Sequence, residues 1–274
     1  MFQLEPPHDD GLMIPEVGEH SKYKHHFIKR YIDAFTTAMK SKRWSGLHYV
    51  DLFAGAGIER LRDSGLLEWG SPMIAAQAPH PFDRLHLCER DERKCDALTK
   101  RVNLIRPDSQ IVPGDANEQV REITQAIPEK TLSLCFLDPY GLHIDLQTIR
   151  ILAVKRMDLI VFFPDRVDAL RNWAAYYLEN PESNLDRCLG NSIDWRTRLR
   201  EVPAHRQAEV LRDTYVEVIR TELGHNEIDF ERITTTSGQP LCYLIYCSRD
   251  PAGSRLWRGI ATKKPDGQRH FTWQ

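Results

Sequence analysis

Four acidic residues fall where apolar runs of strand length stop: Asp51, Glu89, Asp115 and Asp138. Asp51 closes the run Leu47-His48-Tyr49-Val50-Asp51 and is followed by Leu52-Phe53-Ala54-Gly55-Ala56-Gly57. Gly55 and Gly57 can adopt positive φ and leave room for a ligand against the backbone. A strand running into a Gly-x-Gly turn is how doubly wound folds build a nucleotide site. The third glycine of a nicotinamide fingerprint would fall at position 60, which is Arg60. A carboxylate at Glu89 can accept hydrogen bonds from both hydroxyls of a ribose, and one at Asp115 from an adenine amino group. Asp138-Pro139-Tyr140-Gly141 follows the fourth run, over the edge where open α/β sheets bind ligands. Each acid has a plainer reading as a turn residue or helix cap. Tyr140 is either a stacking platform for a base or a core tyrosine.

The elements that must position these residues can be read from period and punctuation. Apolar runs at 47–51, 84–89, 109–112, 132–137 and 158–163 have the length and character of buried parallel strands. Helical spacing fits 22–40, 92–103, 118–126 and 146–154, with Ser21 as a candidate cap of the first helix. Trp69-Gly70-Ser71-Pro72 reads as a helix start, with Ser71 at the N-cap, Pro72 at the first helical position and the helix running over 72–78. Strands alternating with helices predict an α/β Rossmann-like doubly wound sheet. Residues 166–224 carry helical patterns only and read as a helical insertion, with Trp173, Tyr176 and Tyr177 either core or a base-stacking surface. Two further strands at 229–236 and 241–248 flank the hairpin signal Ser237-Gly238-Gln239-Pro240, and a last helix covers 254–262. The expected organisation is an extended or partly disordered arm at 1–19, a main domain at 20–165 and 225–274, and the insertion at 166–224.

The ordered set resembles a known family. Asp51-x-Phe53-Ala54-Gly55-x-Gly57, then Glu89, Asp115 and Asp138-Pro139-Tyr140 are similar to the motifs of class I S-adenosyl-L-methionine (SAM) dependent methyltransferases. Asp138-Pro139-Tyr140-Gly141 is similar to the (Asn/Asp)-Pro-Pro-(Tyr/Phe) motif of amino methyltransferases, with the second proline absent. A closer resemblance takes in His20-x3-Lys24, Gly70-Ser71-Pro72 and the closing Tyr243-Leu244-Ile245-Tyr246 run as well. With these, the chain resembles the bacterial three-Cys-motif partner (TcmP) proteins from residue 20 onward. The resemblance implies SAM as cofactor, held by Lys24, Asp51, Phe53, Gly55, Gly57, Glu89 and Asp115. It implies Asp138, Pro139 and Tyr140 as the residues that hold and stack an acceptor amine. It also implies a partner protein bearing a three-cysteine motif. Lys24 is open to three readings: a contact for the SAM carboxylate, a phosphate contact, or an ordinary surface lysine.

Composition sets the outer bounds. The chain has 274 residues, 41% hydrophobic and 28% charged, and a net charge of −2, so any nucleic-acid site must be a local patch. The first helix offers one candidate: Lys22, Lys24, Lys29, Arg30, Lys40, Lys42 and Arg43 against Asp33, either a solvated face or a phosphate-binding one. No apolar run approaches the roughly 20 residues of a membrane helix, and 1–18 has the pattern of neither a signal nor a transit peptide. Six cysteines without a Cys-x-x-Cys pair read as buried, reduced thiols of a cytoplasmic protein. His20, His25 and His26 are poorly spaced for a shared metal, so no metal is expected. The reading is a SAM-binding, methyltransferase-like protein. The alternatives are a non-catalytic partner subunit on the same fold, or a nucleic-acid-binding accessory protein.

Overall fold

A run buried along its whole length belongs in the interior of a sheet. Leu47–Asp51 (β2) is such a run, with every residue buried. The computed structural model describes residues 3–42, 44–235 and 238–261. β2 pairs in parallel with β5 (Arg84–Glu89) on one side and β7 (Leu132–Leu137) on the other. β6 (Gln110–Pro113) extends the first side and β8 (Arg156–Phe163) the second. Beyond β8, β10 (Pro240–Ser248) runs antiparallel and β9 (Glu227–Thr234) closes the edge. The sheet order is β6-β5-β2-β7-β8-β10-β9.

Helices cover both faces, so the sheet is doubly wound as expected. On one face lie α1 (Ser21–Met39), α2 (Ser71–Ala76), α3 (Glu92–Asn103) and α10 (Pro251–Ala261), packed through Ile28, Ile32, Phe35, Leu98 and Trp257. On the other lie α4 (Ala116–Gln125) and α5 (Leu146–Leu152), together with α7 (Asn184–Leu189), α8 (Trp195–Arg200) and α9 (Gln207–Leu223) of the 166–224 region. Leu185, Trp195, Leu199 and Tyr215 of that region share one core with Val50, Leu137 and Phe163 of the sheet. Between β8 and α7 the chain makes two π-helical turns, Asp165–Ala169 and Trp173–Tyr177, around a short α6 (Leu170–Asn172).

Several local expectations need correction. The connection after β2 contains β3 (Ile58–Leu61) and β4 (Leu67–Trp69), which form a small sheet with β1 (Glu16–Val17) of the N-terminal arm. Strands this short give no alternation to read. The arm, expected to be extended or partly disordered, has little regular structure besides β1 and about half of its described residues are exposed, but it is tied down at Asp10 and Met13. Arg101 of α3 is 3% exposed and binds Asp10 at 2.6 and 2.8 Å, the Met13 carbonyl at 2.9 Å and the Ala56 carbonyl at 2.6 Å. Ser21 lies inside α1 and caps nothing; His20 is the N-cap and makes no side-chain cap bond. Helix α2 begins at Ser71 with Gly70 as N-cap, and the Ser71 hydroxyl is used elsewhere. Arg43 of the basic face, Ser237 of the hairpin signal and Thr262 at the expected end of the last helix lie outside the described residues.

Candidate functional site

The strand order reverses beside β2, which has β5 on one side and β7 on the other. That switch point, at the C-terminal ends of the strands, is where such sheets bind ligands. Gly55, Glu89 and Asp138 leave β2, β5 and β7 there. One Glu89 carboxylate oxygen accepts from the Gly55 amide at 2.8 Å and the other from the Asp91 amide at 2.8 Å. A carboxylate has about four acceptor positions, so half its capacity remains for a ligand. Gly55 has φ +64°, and a Cβ built there meets nothing within 4 Å. The backbone is therefore open to a ligand at Gly55.

Gly57 differs. It has φ +85°, and a Cβ there would come within 3.0 Å of Met73 Cγ, while a Cβ on Gly70 would lie 3.4 Å from the Gly57 backbone. The room expected for a ligand at Gly57 is filled by α2. Asp51 is also not open to a ligand: it is fully buried. It accepts from the Phe53 amide at 3.1 Å, the Ser71 hydroxyl at 2.6 Å and the Tyr49 hydroxyl at 3.2 Å. Burial pushes its carboxyl up to about 7, against the lowering effect of these donors. Asp51 shapes the glycine turn from beneath, with Arg101 holding the Ala56 carbonyl from the side. Phe53 is half-buried against the core on the α4 face. Asp115 caps α4 by accepting from the Asn117 amide at 2.9 Å, and its other oxygen faces Arg90 at 3.5 Å. The helix-cap reading therefore holds for Asp115, with one oxygen still at the edge.

At the end of β7, Lys24 Nζ lies 2.5 Å from Asp138 Oδ2 and 4.5 Å from the centre of the Phe162 ring. Lys24 is 8% exposed, which removes the surface-lysine reading. Burial draws its ammonium down, but the carboxylates of Asp138 and Glu59 outweigh that and hold it above the ordinary lysine value. Burial raises Glu59 to about 7 and lowers His25 to about 4, with His25 Nε2 3.7 Å from the Glu59 carboxylate. The basic face of α1 is thus not a continuous solvated stripe. Lys24 turns inward, Lys22 pairs with Glu19 at 2.7 Å, and Arg30 donates to the Ile260 carbonyl at 2.7 Å. No group of three or more metal-ligating side chains occurs among the described residues.

Pro139 is buried. Tyr140 is 96% exposed, so it is not a core tyrosine. The three aromatics of the 166–224 region divide: Trp173 is half-buried against the core, Tyr177 is buried and Tyr176 is 69% exposed. One residue that the sequence did not single out joins this site. Asp168 accepts from the Leu142 amide at 2.7 Å, the Asn172 side chain at 2.7 Å and the Tyr177 hydroxyl at 2.6 Å. A Cβ on Gly141 would fall 2.5 Å from an Asp168 oxygen, so the glycine after Tyr140 makes room for this carboxylate. Asp168 carried no sequence signal, because π-helical turns do not keep α-helical spacing.

No protein-family model and no curated protein matches the chain. Among solved structures, protein LPL1258 from Legionella pneumophila, of family DUF519, aligns over 90% of this chain and 95% of its own. Its sequence identity is 13% and the TM-score is 0.52. An O-methyltransferase from Bacillus cereus, solved in complex with SAH, aligns over 82% of this chain and 80% of its own, at 9% identity and a TM-score of 0.47. These are likenesses of fold. The chain has a doubly wound α/β fold with a Rossmann-like sheet and a helical insertion between β8 and β9.

Proposed function

We propose that the protein is a SAM-dependent methyltransferase acting on an amino group. The observation that carries this reading is the Gly55–Glu89 pair at the switch point: an open backbone turn bonded at 2.8 Å to a half-free carboxylate. These residues suit SAM. Gly55 offers the close backbone approach, Glu89 retains acceptor positions for two ribose hydroxyls, and Asp115 has an edge oxygen for an amino group. Bound there, SAM would supply a methyl group on an electrophilic sulfonium. Asp138 can accept an N–H from the acceptor and offset positive charge as it grows on the nitrogen. Pro139 stiffens the backbone behind it, and Tyr140 presents a planar face to the acceptor. Lys24 can reach the methionine carboxylate only by releasing Asp138.

That Lys24–Asp138 pair favours a second reading, in which Asp138 is permanently neutralised and the protein is a non-catalytic SAM-fold subunit. Its partner would be the three-cysteine-motif protein that the TcmP resemblance implies. Calorimetric titration with SAM, followed by transfer of a labelled methyl group to RNA, DNA and copurifying protein, separates the readings. Absence of SAM binding sinks both. SAM binding without transfer to any acceptor sinks the first. The third alternative, an accessory nucleic-acid protein using α1, loses its footing because Lys24 is buried and Lys22 and Arg30 are engaged.

A further inference from the structure

Glu59 of β3 follows soon after Gly57, and one of its carboxylate oxygens has no role in holding the fold. That oxygen, Oε2, is shielded from solvent and has no hydrogen-bond partner. His25 Nε2 lies 3.7 Å away, too far to donate, and burial lowers that imidazole to about 4, which leaves it neutral. A buried acceptor without a donor is costly and calls for an explanation. Lys24 supplies one. It is 8% exposed and bonded to Asp138 at 2.5 Å, and the two carboxylates that act most strongly on it are Asp138 and Glu59. Asp51, at the same edge of the sheet, already has donors in Phe53, Ser71 and Tyr49. The ammonium therefore has one carboxylate that it occupies and a second, in range of its charge, with an oxygen to spare.

We propose that Glu59 is the second seat of the Lys24 ammonium: Lys24 leaves Asp138 for Glu59 when an acceptor enters, and Asp138 is thereby uncovered. A lysine carries its charge on a flexible four-carbon stem, so Nζ can change partners while the backbone of α1 stays in place. The reason for the move is electrostatic. A nitrogen that turns positive beside Asp138 is repelled by an ammonium already seated there, and a buried ammonium without a partner is strongly destabilising. Glu59 gives it a charged partner inside the protein. The exchange stands on the cluster alone; its use in methyl transfer rests on the methyltransferase reading above. Glu59 is a positioning residue, acting through Lys24 and not on the acceptor. The charged and titratable groups that face it are Lys24 and His25 of α1, Asp138 after β7, Lys94 of α3 and Glu68 of β4. With this exchange the neutralisation of Asp138 is conditional, not permanent.

The test is urea unfolding of the full chain carrying Asp138→Asn, Glu59→Gln or both, each with Lys24 kept and with Lys24→Met. With Lys24 kept, either single change leaves the ammonium one carboxylate, and both together leave it none. Asp138→Asn alone still costs stability, because Glu59 must then ionise where burial disfavours it. The double variant should lose more than the sum of the single losses. That excess, in the unfolding constant, should be about tenfold larger with Lys24 than in the Lys24→Met background. Direct repulsion between the two carboxylates survives Lys24→Met, so the part that Lys24→Met removes is the part that Lys24 carries. A double variant that does not fold, but folds once Lys24→Met is added, counts for the proposal. The same variants at pH 5 and pH 8 read the occupied seat. Glu59 keeps its proton up to about 7 in the folded chain, against an ordinary value of 4.5 in the unfolded one. Glu59→Gln should therefore gain on the parent as pH rises between these values. In the Asp138→Asn background Lys24 sits on Glu59 and holds it ionised, so the gain should vanish, and Lys24→Met should bring it back. An excess equal within about twofold in both backgrounds, a gain that persists in Asp138→Asn, or failure of the double variant to fold in either background would overturn the proposal. SAM calorimetry on the same protein keeps the two readings apart. SAM binding with an excess that ignores Lys24 rejects the exchange alone. A Lys24-dependent excess without SAM binding supports the exchange and rejects the methyltransferase reading.

Discussion

Glu89 holds the Gly55 amide with one oxygen and the Asp91 amide with the other, so its carboxylate is fixed before any ligand arrives. Hydrogen bonds to a charged group are worth about 1.5–3 kcal/mol. Glu89→Ala is expected to weaken SAM binding roughly ten- to a hundredfold, read by calorimetry; a change below about threefold would leave Glu89 as a turn residue only. Asp51 makes a different prediction. Burial holds its folded value at about 7, above the ordinary 3.8 that applies in the unfolded chain. Between these values the folded chain keeps a proton that the unfolded chain has released. Stability from this group is therefore full below about pH 4, declines as pH rises, and levels off above about pH 7. Asp51→Asn removes that dependence, so the variant should gain on the parent by on the order of 2 kcal/mol between pH 5 and pH 8, measured by urea unfolding at each pH. A difference that does not change with pH would mean that Asp51 is ionised throughout. At Asp138, truncation leaves the Lys24 ammonium buried without its partner. Asp138→Ala should cost about 2 kcal/mol or more, and adding Lys24→Met should recover most of it in the same urea assay. Failure of the second substitution to rescue would show that the cost lies in the loop and not in the stranded charge.

At the scale of elements, the glycine turn separates ligand space from packing space. Gly55→Ala carries the strain of a positive φ, about 1 kcal/mol, and projects its methyl group into open space. Gly57→Val adds overlap with Met73 and Leu98, and overpacking of this kind costs about 1–3 kcal/mol beyond the strain. Chemical denaturation should therefore find Gly57→Val clearly less stable than Gly55→Ala. Calorimetry should find that Gly55→Ala loses SAM affinity while keeping its fold. The reverse order would exchange the two assignments. β5, α3 and β7 begin and end where run length and helical spacing predicted them. β3 and β4, at four and three residues, are too short to show a period, and β1, at two residues, is a strand only through its pairing with β3 more than 40 positions away. Asp10 of the arm is lowered to about 2 by its bond to the Arg101 guanidinium.

Over the whole molecule, a ligand that binds only the folded chain stabilises it by mass action. SAM at 100 times its dissociation constant should add about 2.7 kcal/mol and raise the melting midpoint by on the order of 5 °C. Differential scanning fluorimetry that shows no shift at saturating SAM would remove the cofactor from the reading. The sequence alone determined the α/β alternation, the parallel core of the sheet and the placing of Gly55, Glu89 and Asp138 at strand ends. Those signals are local: run length, period and the residue that stops a run are all contained in a few neighbouring positions. Only the tertiary structure decided what each polar group does once there. Lys24 reaches Asp138 across 114 positions of sequence, Ser71 gives its hydroxyl to Asp51 instead of capping its own helix, and Asp168 gathers a loop and a π-helical segment. Such partners are set by how helices pack on the sheet and by which donors burial strands nearby, and neither is written in the spacing of any single segment.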